Sequence, residues 1–248
     1  MRIVGWNIRA GGGARCDAIA RQIARWNADV VALSEFRATP ASRRLAAALA
    51  GLGLSQQRTT ADPAAPARNA LLVASRWPLR RLRLAAEFSD PHRWLAVRVG
   101  APTRLTLALM HVPNRVTGTK WRFFGAVLAC ARDWRHGPGV LVGDTNSGRR
   151  GLDEEVRGFN AREEAWLDAL AECGWIDAFR HLHPAERSYT WYSPNGRNGY
   201  RLDQAFVHSA LLERVRGAAH AWGGRSPGRR RDCVSDHAAC IVDLAASG

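Results

Sequence analysis

The chain has 248 residues, enough to bury a substantial core, and its 46% hydrophobic content fits a water-soluble globular protein of one domain over residues 1–248. No apolar run approaches the roughly 18 residues needed to span a bilayer, and the first strand candidate begins at Arg2 with no room for a signal peptide, so a cytoplasmic protein is expected. The 36 basic residues against 22 acidic ones leave a formal charge of +14, carried almost wholly by arginine because Lys120 is the lone lysine, and this predicts attraction to a polyanion such as a nucleic acid.

In chain order, the apolar run at residues 3–6 reads as a strand ending on Asn7. Cys16, Ile19, Ile23 and Trp26 then recur at helical spacing, with Arg21 and Arg25 between them, so residues ~15–27 read as an amphipathic helix. A second strand at 29–34 runs into Glu35. Thr39-Pro40 offers an N-cap and an N1 proline, Leu45, Leu49 and Leu52 supply a stripe, and Gly51 lies near the end of the resulting short helix.

Residues 54–110 read mostly as strands and turns, with strands at 70–74, 79–84, 94–99 and 105–110. The proline- and alanine-rich segment 61–66 reads as a surface connector. Helical spacing returns at Trp121, Phe124, Leu128 and Ala131, which puts Lys120, Arg122, Arg132 and Arg135 on other faces. A strand at 140–142 leads to Asp144. Asn160 and Glu163 are spaced as a capping box that opens a helix through Trp166, Leu167 and Leu170, stopping at Gly174. Strands return at 189–192, 201–207, 215–220 and 238–244.

The five cysteines (Cys16, Cys130, Cys173, Cys233 and Cys240) form no CxxC pair and read as reduced thiols rather than zinc ligands.

Chemistry-bearing residues follow the apolar runs: Asn7, Glu35, His111, Asp144 with Asn146, Asp203, and Asp236 with His237. Polar groups at the ends of several strands can meet at one sheet edge. Asp144 and Asn146 are two residues apart, so in extended geometry both point to one side. There a carboxylate can orient or deprotonate water, or hold a metal, and the amide can donate to a phosphate oxygen. Read alone, Gly143-Asp144-Thr145-Asn146 also fits a turn.

Glu35, at the end of a buried run, needs compensation, from a hard divalent cation or from a salt bridge to Arg37. Asn7 is either an oxygen ligand or a turn residue. His237 offers an imidazole for acid-base work beside the Asp236 carboxylate, and Asp203 can fix its tautomer and raise its basicity.

Taken in order, Trp6-Asn7, Leu33-Ser34-Glu35, His111-Val112-Pro113-Asn114, Gly143-Asp144-Thr145-Asn146, Tyr200-Arg201-Leu202-Asp203 and Ser235-Asp236-His237 resemble the motif series of the endonuclease/exonuclease/phosphatase superfamily of exonuclease III-like and DNase I-like phosphoesterases. The resemblance runs over nearly the whole chain. It implies a four-layer α/β/β/α sandwich of two packed mixed β-sheets and magnesium- or manganese-dependent cleavage of phosphoester bonds.

By position it implies Glu35 as principal metal ligand, with Asn7 and Asp236 near the metal. Asp144 is then the group that orients or activates water, and Asn146 lies near the scissile phosphate. His237, paired with Asp203, contacts phosphate or moves a proton, and His111 donates to the phosphate or leaving oxygen. Three positions depart from the abasic-site endonuclease branch: His111 where that branch has tyrosine, Arg9 where an acidic residue is frequent, and Glu35-Phe36-Arg37 where it tends to read Glu-Thr-Lys. The choice of His111 is closer to DNase I-like and sphingomyelinase-like branches.

Arg225, Arg229, Arg230 and Arg231 crowd just before Ser235-Asp236-His237, which predicts either a basic loop at the mouth of the site or a solvated one. Trp191, Tyr192 and Tyr200 approach the same place in sequence, to stack on bases at about 1–3 kcal/mol each or to pack in the core. The expected activity is that of a metal-dependent nuclease acting on DNA or RNA, with no membrane and no obligate protein partner. The alternatives are a phosphatase or phosphodiesterase acting on a small molecule or lipid headgroup, and a non-catalytic nucleic-acid-binding module on the same fold.

Overall fold

The structure is a computed structural model that describes residues 1–84, 86–101, 104–195, 197–224 and 234–246. The elements run in chain order as β1 (Arg2–Asn7), α1 (Cys16–Trp26), β2 (Val30–Phe36), α2 (Pro40–Gly51), β3 (Gln56–Thr59), β4 (Ala70–Ser75) and β5 (Leu79–Leu82). Next come β6 (Trp94–Val99), β7 (Leu105–His111), α3 (Lys120–Arg132), β8 (Gly139–Asp144), α4 (Ala161–Glu172), β9 (Trp175–Asp177) and α5 (Ala178–Leu182). The last are β10 (Trp191–Tyr192), β11 (Gly199–Tyr200), β12 (Asp203–His208), β13 (Val215–Ala221) and β14 (Ala239–Leu244).

Among the described residues, one six-stranded sheet has the order β13, β14, β1, β2, β4, β3 and a second has the order β5, β6, β7, β8, β12, β9, while β10 and β11 form a separate hairpin. Both sheets are mixed: β1 pairs with β2, and β7 with β8, in parallel, and their other neighbours are antiparallel.

The layering follows from period-two side-chain alternation with both faces buried. Ile3, Val30 and Ala32 of the first sheet meet Leu107, Leu109 and Val142 of the second in a core between the sheets. The alternate residues Val4, Trp6, Val31 and Leu33 turn the other way, onto Ile19 and Ile23 of α1 and Leu45 and Leu49 of α2. Ala108 and Met110 likewise turn outward, onto Phe123 and Val127 of α3 and Trp166 and Leu170 of α4. The result is the expected four-layer α/β/β/α sandwich. At Gly5 the sheets come so close that a Cβ would lie 2.4 Å from Val142 Cγ2.

The local signals behave as the sequence predicts. Thr39 Oγ1 accepts from Ser42 N at 3.3 Å with Pro40 at the first turn of α2, and the Asn160–Glu163 capping box closes with bonds of 3.1 and 2.9 Å. Segment 61–66 is an ordered turn in which Asp62 O accepts from Ala65 N at 3.0 Å. Cys16, Cys130 and Cys240 are buried free thiols and Cys173 is a partly buried one, while Cys233 lies outside the described residues.

At least four short elements go unread in the sequence, among them the two-residue β11. Strand β3 is a polar sheet edge, β9 has three residues, and α5 is one turn capped by Asp177. Lys120 is also misplaced by helical spacing alone: it is 1% exposed rather than on an outer face of α3. No helix among the described residues is long and apolar enough to cross a membrane.

Candidate active site

Strand register places the polar termini. In the first sheet Asn7 lies opposite Ser34; in the second, His111 lies opposite Asp144, and Asp144 opposite Asp203. The two sets meet across the sandwich, where Asn7 Nδ2 donates to Asp144 Oδ2 at 3.0 Å and faces Glu35 Oε1 at 3.4 Å.

Two of these residues are aimed by backbone that L-residues seldom adopt. The register of β2 shifts between Ser34 and Phe36, and Glu35 in that bulge has φ +57°. Asn146 has φ +48° just after β8, and its amide N–H donates to Asp144 Oδ1 at 2.9 Å. Gly143 and Asp144 are thus the last residues of β8, and the bend at Asn146 follows the strand, so the turn reading of this stretch does not hold. Gly143 is obligatory there, because at its φ of +141° a Cβ would sit 1.9 Å from Met110 O.

Glu35 finds its compensation in backbone rather than in Arg37. Its Oε2 accepts from Ala10 N at 2.7 Å, while Arg37 Nε is spent on Asn69 Oδ1 at 2.7 Å. Asn146 Nδ2 donates to Val112 O at 2.8 Å. Ser235 Oγ ties the C-terminal motif to β1 by donating to Asn7 O at 2.6 Å, and Trp6 Nε1 donates to His237 O at 2.9 Å.

His237 Nδ1 meets Asp203 Oδ2 at 2.8 Å, the pairing expected from the sequence. Burial would lower the His237 pKa, but the carboxylate of Asp203, with those of Asp144 and Asp236 behind it, raises it to about 10. Burial, opposed by His237 and reinforced by Asp203, raises Asp144 to about 7. Burial, with Arg93 and His237 adding to it, holds His111 well below the ordinary imidazole range, so that ring is neutral; its Nε2 lies 3.7 Å from Asp144 Oδ2.

An open pocket of about 620 Å³ is lined by Glu35, His111, Asp144, Asn146, Asp236 and His237. Asn7 and Asp203, each 1% exposed, lie behind that wall. Trp191 and Tyr200 also line the pocket, paired across the β10–β11 hairpin with ring centroids 6.1 Å apart, whereas Tyr192 points the other way and is buried against Trp222. Arg229, Arg230 and Arg231, expected at the mouth, lie outside the described residues, as does Arg225.

Two sets of side chains suit a metal. Ligand atoms of Asp144, Asp203 and His237 lie within 4.8 Å of one another, but the imidazole of that set is engaged with Asp203 and held cationic. Glu35 and Asp236 offer hard oxygens, and Asp236 Oδ1 is buried with no hydrogen-bond partner among the described residues. The other Asp236 oxygen is 3.8 Å from Arg9 Nε. An orphaned carboxylate oxygen in a pocket that a second carboxylate also lines fits a divalent cation.

The sequence reading missed several groups. Arg93 and Arg115 line the pocket, and Lys120 Nζ donates to Asn146 O at 2.7 Å while it pairs with buried Glu163. Arg201, fully buried, grips Asp153 through two bonds of 2.8 and 3.0 Å and Asp177 at 2.6 Å, which anchors the segment leading to Asp203. Arg201 stood inside the Tyr200-Arg201-Leu202-Asp203 motif and Lys120 beside a helical stripe, but charge in a sequence does not name its partner.

The two sheets of the sandwich bring carboxylates, amides and imidazoles together at one rim. Residues 4–237 match the Endonuclease/Exonuclease/phosphatase family, and the chain belongs to that family. It is 30% identical over 95 residues to an exodeoxyribonuclease of Bacillus subtilis (strain 168), a match that spans 33% of this chain and 38% of that relative.

Among solved structures, the 3'-5' exonuclease NExo of Neisseria meningitidis is similar with a TM-score of 0.79 at 23% identity, covering 99% of this chain and 100% of that one. A Neisseria 3' phosphatase NExo bound to a product DNA hairpin gives 0.77 at 22% identity, covering 98% and 99% of the two chains. An AP endonuclease from Archaeoglobus fulgidus gives 0.77 at 17% identity, with coverage of 98% and 99%. At these identities the likeness is one of fold.

Proposed function

We propose that the protein is a magnesium- or manganese-dependent nuclease, a single cytoplasmic domain that hydrolyses phosphodiester bonds of DNA, or of RNA, by in-line attack of water. The observation that carries this reading is the position of Asp144, a buried carboxylate with a raised pKa, hydrogen-bonded by Asn7 and flanked by His111, Asn146 and His237 in one open pocket. The name of the Bacillus relative and the DNA hairpin in the Neisseria structure support nucleic acid as the substrate.

Glu35 and Asp236, with Asn7 near Glu35, would hold the cation. When bound, it neutralises charge on the phosphoryl oxygens. Asp144, with a pKa of about 7, accepts the proton of the attacking water, and Asn7 orients it for that task. His237, raised to about 10 by Asp203, is a cation at neutral pH and serves as a donor to a phosphoryl oxygen rather than as a base. Neutral His111 and the Asn146 amide add further donors, and Trp191 and Tyr200 offer faces on which a base can stack. Arg229, Arg230 and Arg231 supply phosphate contacts in this reading.

A second reading, hydrolysis of a terminal or small-molecule phosphomonoester, is favoured by His111 and by the description of one structural neighbour as a 3' phosphatase. A panel of labelled duplex, single-stranded, abasic, RNA and 3'-phosphorylated substrates, assayed with magnesium or manganese and with chelator as control, separates the two. Cleavage of internal or terminal diester bonds supports the nuclease. Release of inorganic phosphate alone, unaffected by competitor DNA, overturns it in favour of the phosphatase.

A further inference from the structure

Beside the catalytic pocket lies a second cavity, of about 440 Å³, that shares Arg93 and Thr117 with it. Its floor is the 3-10 turn Pro91–Arg93, and Arg68 and Thr119 line it as well. The acid among its lining residues, Asp90, is already engaged: Oδ1 accepts from His92 N at 3.0 Å and Oδ2 meets Arg93 Nε at 3.1 Å.

Arg68 is held in place by a specific contact. Its Nη1 donates to His92 Nε2 at 2.9 Å, and the opposite ring nitrogen, Nδ1, lies 2.8 Å from Thr60 O. An arginine can only donate, so Nε2 is the acceptor, the ring proton sits on Nδ1 and points at the carbonyl, and the imidazole is neutral. The contact uses one of the five guanidinium donors. The hydroxyls of Thr117 and Thr119 lie 3.0 Å apart in the same wall. The Thr117 hydroxyl proton is spent on Asn114 O at 2.8 Å and that of Thr119 on Thr117 Oγ1, so the seat for a tetrahedral oxyanion is made by the guanidinium held on His92 and the guanidinium shared with the catalytic pocket.

We propose that this cavity binds the phosphate next to the scissile one on a nucleic-acid strand, with Arg93 between the two and Arg68 completing the second seat. The proposal rests on the nuclease reading and deepens it. A strand that carries consecutive phosphodiesters spans the shared wall, whereas a headgroup or mononucleotide fills the catalytic pocket alone.

The test compares the full-length protein with Arg68→Gln on short oligodeoxynucleotides and on bis(4-nitrophenyl) phosphate, which has one phosphate. The ratio of kcat/KM on oligonucleotide to that on the single diester should fall about tenfold in the variant, the loss of one charge-assisted contact. The log-log salt dependence of oligonucleotide binding should become shallower by about one. Replacing the neighbouring phosphate with a neutral methylphosphonate should cost the variant clearly less than it costs the wild type, the remaining loss being the contact to Arg93.

An unchanged ratio, or methylphosphonate and variant losses that multiply, overturns the second seat while leaving the nuclease intact. Failure of the wild type to cut any oligonucleotide overturns the nuclease reading, and this proposal with it.

Discussion

The Nδ1 of His237 and the Oδ2 of Asp203 lie 2.8 Å apart in a buried site, and this contact decides the charge of the imidazole. Asp203 is itself fixed from behind, its backbone N–H donating to Thr190 Oγ1 at 3.0 Å. Removing the carboxylate charge while keeping the shape separates the electrostatic role from the structural one. Asp203→Asn should lower the pKa of His237 from about 10, read by NMR titration of the ring protons, and reduce kcat about 10- to 100-fold with a smaller effect on KM. An unmoved imidazole titration would sink the pairing as the source of the charge.

Lys120 and Glu163 form a buried pair with side chains 2% and 0% exposed, and Lys120 also holds the carbonyl of Asn146, whose backbone is left-handed. Lys120→Met leaves the Glu163 carboxylate with the Asn160 N–H of the capping box at 2.9 Å and, as its ion pair, only the longer contact to Arg115 at 3.4 Å. Urea unfolding should show a loss of about 3–5 kcal/mol, the cost of stranding a buried charge. The double variant Lys120→Met with Glu163→Leu should recover part of that loss.

Glu35 and Asp236 are the proposed cation ligands, and Asp236 has a buried oxygen to spare. Glu35→Gln and Asp236→Asn should each weaken manganese binding, followed by electron paramagnetic resonance, by at least about tenfold, since even partners one step removed from a metal are worth 10- to 100-fold. Chelation should abolish turnover, and added magnesium should restore it. Undiminished manganese binding in both variants would shift the site to Asp144 and Asp203.

His220 gives a stability signature from behind the proposed site, where its ring lies against the Asp203 backbone and near Arg201. Burial first, then Arg201 and Arg180, lower its pKa to about 3 from 6.5. Its ring rests on Phe179 with centroids 4.4 Å apart, and Ser188 Oγ lies 2.8 Å from Nδ1. The unfolded chain takes up a proton at a higher pH than the fold does, so this group destabilises the fold as pH drops below 6.5 and continues to do so down to about 3. The stability of wild type relative to His220→Gln should fall by about 1.4 kcal/mol per pH unit across that window, measured by denaturant unfolding. Parallel pH profiles for the two proteins would show that the ring is protonated in the fold.

Much of this molecule was legible in one dimension because burial has a period. Runs such as Val30 to Leu33 are apolar on both faces and end on a polar residue, and these features mark a strand inside a sandwich and the rim where it stops. The motif order named the family for a related reason: four motifs close a strand, whereas, against the expectation that each follows an apolar run, Asp203 opens β12 and Asp236-His237 precedes β14. The Asn160–Glu163 capping box and the Thr39 N-cap with its N1 proline were equally plain, since they depend on neighbours no more than three or four residues away.

What the chain alone could not decide was partnership across long separations. That Glu35 leans on Ala10 N and not on Arg37, that Lys120 points inward to Asn146 and Glu163, and that Arg68 is docked on His92 beside the pocket all depend on distances between residues far apart in sequence. Charge is a local property of sequence, but its compensation belongs to the packed structure, where an unpaired buried ion is too costly to keep and the nearest available group takes the role.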